Sequence, residues 1–258
     1  DISLSSATLI VGNTYYISCD NYVGLSYRGT FTLCIDNIDT EYFSIADGVW
    51  NDGNNWSIVS HAGPAAASYP DAGDIAYIED NSITVTGTEV SAEVNINVNG
   101  NTTLLDINGG DLTIAGALNL NNTGNNFDGT ILIQGNGSLN VNDNATFTRS
   151  GGSNAFGLII NTGSSLIVNK DFTLNSDGGT ITSNYFVLNG TATADIGQDF
   201  ILNQTSGTKI FTQLNNSSSL TVGRDIQFIA STDNKTEIEL NHTSNLNISR
   251  SFVRGIPA

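Results

Sequence analysis

LIVNKDFTL, residues 166–174, decides the fold, because close variants of it recur along the chain. They are LTIAGALNL (112–120), LNVNDNATF (139–147), ADIGQDFIL (194–202), LTVGRDIQF (220–228) and LNISRSFVR (246–254). Their first residues lie 27, 27, 28, 26 and 26 positions apart. A fixed period in this range marks units that stack, none of which buries its apolar face alone. Within each unit the alternation has period two, so the pieces are strands. Leu166, Val168, Phe172 and Leu174 point one way, and Asn169 or Lys170, with Asp171, turns the corner between two short strands.

A second piece precedes each of these: ILIQ (131–134), LIIN (158–161), FVLN (186–189), TQLN (212–215) and IELN (238–241). Its closing residues are spaced 27, 28, 26 and 26 apart. Two strands around a corner plus a third, every 26–28 residues, describe one coil of an all-β parallel β-helix. Each coil should rise by about 4.8 Å, one strand spacing. The β-helix is expected over residues 83–258, irregular at first and regular from Leu112, with a Trp-containing opening segment at 46–82 and a short antiparallel hairpin or sandwich fragment at 1–45.

Composition agrees. Of 258 residues, 39% are hydrophobic; glycine is frequent at 27 and proline rare at 3, which suits many short strands with tight turns. The formal net charge is −17 with eight Lys and Arg, too few to follow a phosphate backbone, so no nucleic-acid partner is expected. No run is long enough to span a bilayer as a helix, and no signal peptide opens the chain. The absence of methionine and the stop inside a repeat lead us to expect a piece of a longer array.

Residues 9–24 and 29–35 read as two alternating strands. Gly12 to Ile17, Asp20 to Gly24 and Gly29 to Leu33 read as a Gly-x-x-Tyr-Tyr-Ile, Asp-x-Tyr-x-Gly, Gly-x-Phe-x-Leu pattern. It resembles the last hairpin of bacterial pre-peptidase C-terminal domains, small β-sandwiches of secreted enzymes and adhesins, over about the final third of such a domain. Cys19 and Cys34 fall on opposite arms of that hairpin. They either form a disulfide in an oxidising compartment or fill the sandwich as thiols. Further on, GVWNDGNNWS (48–57) and YPDAGDIAYI (69–78) are similar to the segment that opens β-helical regions in large surface proteins of Bacteroidota. Trp50 and Trp56 then serve as cap or core of the first coil, or else stack on a sugar.

Three columns could carry function. Asp171, Asp199 and Asp225 occupy one repeat position, about 5 Å apart on adjacent coils. The first reading is a turn-capping acceptor, and the second is calcium. Gln134, Asn161, Asn189, Asn215 and Asn241 form an amide ladder. The third column is apolar and faces outward on the third strand: Leu132, Ile159, Val187, Tyr185 and Phe211. Such a stripe needs a cover, either loops 148–157 and 175–184 or a partner chain. His61 and His242 show no metal-ligand spacing, and no nucleophile elbow occurs.

The expected function is a structural stalk or adhesive repeat region of a large secreted or cell-surface bacterial protein, without catalysis. It resembles the long adhesins of the type IX secretion route. Its partners would be other domains of the same long chain, and surface polysaccharide or another protein. The competing expectations are a carbohydrate-active β-helix enzyme, lyase or hydrolase, and a polysaccharide-binding module.

Overall fold

The computed structural model describes residues 39–123, 127–150, 155–176, 184–205, 209–230 and 236–255. The chain divides into two compact units, Asp1–Asp36 and Asn37–Ala258. The first unit, and with it the expected hairpin, Cys19 and Cys34, lies outside the described residues.

The second unit is a parallel β-helix with three sheets. One coil runs Ser138–Val141 on sheet C, Ala145–Arg149 on sheet A and Phe156–Ile160 on sheet B, then returns to sheet C at Ser165–Val168. Sheet A holds ten strands, sheet B eight and sheet C seven. Among them only Trp56–Ser57 is antiparallel, closing the edge of sheet A beside Glu41–Ser44. Within sheet C, Leu112, Leu139, Leu166, Ala194, Leu220 and Leu246 stand side by side, which is the register the repeats imply.

Alternation fixes which side chains enter the core. Ile114, Val141, Val168, Ile196 and Val222 on sheet C and Ile133, Ile160, Leu188 and Leu214 on sheet B are fully buried. On sheet A, Phe172 packs its ring against Phe147, Phe186 and Phe200, with centroids 5.0, 5.2 and 5.7 Å away. The expected core position Phe228 is only partly buried, and Leu240 and Phe252 are exposed at 50% and 60%. No further strand packs on them among the described residues.

One tight turn joins sheet B to sheet C in successive coils. The amides of Gly137, Ser164, Ala192, Ser218 and Ser244 donate to the carbonyls of Gln134, Asn161, Asn189, Asn215 and Asn241. The turn needs left-handed backbone: φ is +65° at Gly190, +59° at Asn216 and +58° at His242. Glycine and asparagine supply this conformation at least cost.

The parallel ladder starts earlier than residue 83, the expected beginning. Glu41–Ser44 already pairs in parallel with Ile75–Glu79, and Gly48–Val49 with Ser82–Val85. The steps along sheet A explain why the period conceals this. Glu41 pairs with Ile75, 34 residues on, and Ile75 pairs with Glu93 after only 18; regular steps of 26–28 begin after Leu118.

Candidate functional site

The residue just before each sheet A strand forms a staircase. The amide of Asp171 donates to Asn144 Oδ1 at 3.1 Å, that of Asp199 to Asp171 Oδ1 at 2.9 Å, that of Asp225 to Asp199 Oδ1 at 3.0 Å, and that of Ser251 to Asp225 Oδ1 at 3.0 Å. Each side chain thus caps the corner amide of the next coil. Asp199 is held further by Arg224, whose Nε donates to Oδ1 at 3.1 Å and whose Nη2 pairs with Oδ2, and by Gln227 Nε2 at 2.9 Å. The Arg224 hydrogen bond holds the Asp199 carboxyl below its ordinary value, against the opposing effect of burial. Among the described residues no group of three or more His, Cys, Asp or Glu side chains is gathered as a metal site requires. The staircase includes Asn144 and Ser251, which aligning the repeats on Asp alone leaves out.

The amide column is a second ladder: Asn189 Nδ2 donates to Asn161 Oδ1 at 3.1 Å, Asn215 to Asn189 at 2.9 Å, and Asn241 to Asn215 at 3.0 Å. Gln134 instead turns to Asp106, donating at 2.9 Å.

Trp50 and Trp56 lie inside the solenoid, 1% and 0% exposed, edge-on to each other at 5.2 Å. Their indole N–H groups donate to the carbonyls of Pro70 and Trp50. Both rings belong to the core, so a sugar has no face to stack on.

The outward stripe on sheet B is real in register: Leu132, Ile159 and Val187 adjoin, as do Thr130, Gly157, Tyr185 and Phe211. Its side chains are half-buried rather than bare. Some of the cover comes from the stripe's own neighbours. Tyr185 reaches back across Gly157 to Thr130, with 2.9 Å between the hydroxyl oxygens, and Lys209 Nζ sits 4.8 Å from the Phe211 ring centre while pairing with Glu237. Gly157 has φ +147°, and a Cβ there would lie 2.0 Å from the Tyr185 carbonyl oxygen. Residues 151–154 and 177–183, the centres of the expected covering loops, lie outside the described residues.

Two buried ionisable groups were not singled out from sequence. Arg149 is fully buried at the inward position that follows Ala145 and Phe147; burial pulls its pKa down, with Asp128 opposing. Glu89 takes the inward position that Leu112 holds one coil later, and burial raises its pKa against a hydrogen bond from Asn51. Period-two alternation contained both placements. An inward charge merely looks like a break in the pattern.

His61 and His242 stay apart in role as in sequence. His61 Nδ1 lies 2.7 Å from the Ser44 carbonyl oxygen, and His242 occupies the left-handed turn position.

Comparison with family models, with curated proteins and with solved structures finds no match.

Proposed function

We propose that the solenoid is a non-catalytic shaft, the structural or adhesive repeat region of a large secreted or cell-surface bacterial protein of the type IX-exported adhesin kind. The observation that carries this reading is where the polar side chains go. The Asp and Asn columns donate and accept from one coil to the next, so these groups tie the long axis together instead of converging on one point. Catalysis on polysaccharide would instead need an acid, a base and often a cation around one bond. Secretion accords with a surface that carries a net charge of −17. The partners of such a shaft are neighbouring domains of its own chain, together with the surface polymer or protein that it meets. Incubation with uronate-containing and neutral glycans is expected to release no shortened product. Release that stops when one carboxylate is replaced would overturn the proposal in favour of a carbohydrate-active enzyme.

A further inference from the structure

The outer face of sheet A is unlike the other two. One column runs Phe43, Tyr77, Asn95, Asn119, Thr146 and Thr173 on six successive strands. A second runs Glu79, Asn97, Asn121, Thr148, Asn175 and Asn203 beside it. All of these side chains are partly exposed. At the N-terminal end Phe43 and Tyr77 stack with centroids 5.1 Å apart and planes 11° apart, and His61 meets Phe43 edge-on at 5.3 Å. Carboxylates edge this aromatic end: Glu41 accepts from the Tyr77 hydroxyl at 3.2 Å, and Glu93 accepts from Asn95 Nδ2 at 3.0 Å. Beyond it the amides bond along the axis, Asn119 to Asn95 at 3.0 Å and Asn203 to Asn175 at 3.0 Å. Asn119 Nδ2 also reaches Glu93 Oε1 at 3.4 Å, whereas Asn203 Nδ2 still has a second hydrogen to offer.

Charge narrows the choice of ligand. Between Asp39 and Thr148 the sequence has fourteen carboxylates and no lysine or arginine. Residues 149–258 carry seven basic residues against eight acids, so the negative field belongs to the N-terminal coils. An anionic glycan would be repelled there, and a cationic one drawn in.

We propose that the outer face of sheet A binds an extended polysaccharide bearing protonated amino groups, a glucosamine polymer, laid along the solenoid axis from Phe43 toward Thr173. The fit is chemical at each point. The Phe43–Tyr77 pair offers an apolar platform for a sugar face and a π-surface for an ammonium. Glu41, Glu79 and Glu93 are acceptors for the amines. The Asn and Thr columns offer donors and acceptors to hydroxyls at about 4.8 Å intervals, close to the length of one hexose. The inference rests on the non-catalytic reading only in that the polymer is held and not cut.

The test is calorimetric titration of the full chain with a glucosamine hexamer, alongside chromatography of the hexamer after incubation. Binding that weakens with salt is expected, about tenfold tighter than for the N-acetylated hexamer, which lacks the charge. Tyr77→Ala should weaken it about tenfold, and Glu93→Gln, which keeps an acceptor for Asn95, several-fold. Asp111→Asn removes the same charge from sheet C and should leave binding unchanged. Circular dichroism confirms that each variant is folded, and Glu93→Gln serves as the probe should Tyr77→Ala not fold. No binding, equal binding of the N-acetylated hexamer, or equal loss in Asp111→Asn and Glu93→Gln would overturn the proposal. Tighter binding of poly-lysine that is indifferent to Tyr77→Ala would also overturn it and assign the face to a basic polypeptide. Shortened hexamer would contradict the non-catalytic reading alone and leave the binding face in place.

Discussion

Two carboxyl groups show how one functional group does opposite work in this solenoid. Asp199 is stabilised as the anion by Arg224, by the Asp225 amide and by Gln227. Its pKa in the folded chain lies below the ordinary 3.8, so its contribution is present above that value and is lost as pH falls through the lowered one. Asp199→Ala leaves the Asp225 amide without its acceptor and should cost about 1–3 kcal/mol at neutral pH, measured by urea denaturation, with the difference shrinking in acid. Glu89 has the opposite sign. Burial raises its pKa above the ordinary 4.5, so the favourable contribution of the protonated form holds below 4.5 and is lost as pH rises through the raised value. Glu89→Gln should therefore be more stable than the wild type at neutral pH, and the advantage should vanish toward pH 4. A variant less stable at neutral pH would show that the ionised carboxylate is needed at that inward position.

At the level of elements, the strands were legible wherever the coil length was even. The alternation in LIVNKDFTL already places Val168 and Phe172 on one side, and the structure buries both completely. Around Tyr42 and Trp50 it was not legible, because a step of 34 residues followed by one of 18 hides the period from any search for a constant repeat. Those first coils are held by local devices that leave no periodic trace. One is Asp80, whose Oδ1 accepts from the amides of Asn99, Gly100 and Asn101 at 2.7–3.0 Å. The candidate site divides in the same way. The Asp staircase and the outer stripe were visible as columns, whereas the Phe43–Tyr77 pair forms across the irregular 34-residue step. In the regular part, Phe172 and Phe200 on sheet A both meet Phe186 on sheet B, each at 5.2 Å. Phe172→Ala should cost about 3–5 kcal/mol, read from the shift in the urea midpoint at constant slope. A loss below 1 kcal/mol would mean that the coils do not share this aromatic cluster.

Across the whole solenoid, strands pair between adjacent coils, so distance along the axis is set by the number of coils and not by the number of residues. Charge is arranged on the same axis, all-acidic in the coils before Arg149 and nearly balanced after it. In the reading proposed above, the anionic coils meet the cationic polymer while the other coils act as spacer. Both roles depend on each repeat of 26–28 residues being one step of the stack. Pulsed electron-electron distances measure that step most directly. Spin labels at Asn95 paired in turn with Ile201, Gln227 and Val253, in a chain with Cys19 and Cys34 changed to serine, share one outer column of sheet A. The separations should be roughly 19, 24 and 29 Å, rising by about one strand spacing per coil. Separations that do not increase in equal steps from 201 to 227 to 253 would contradict the coil assignment.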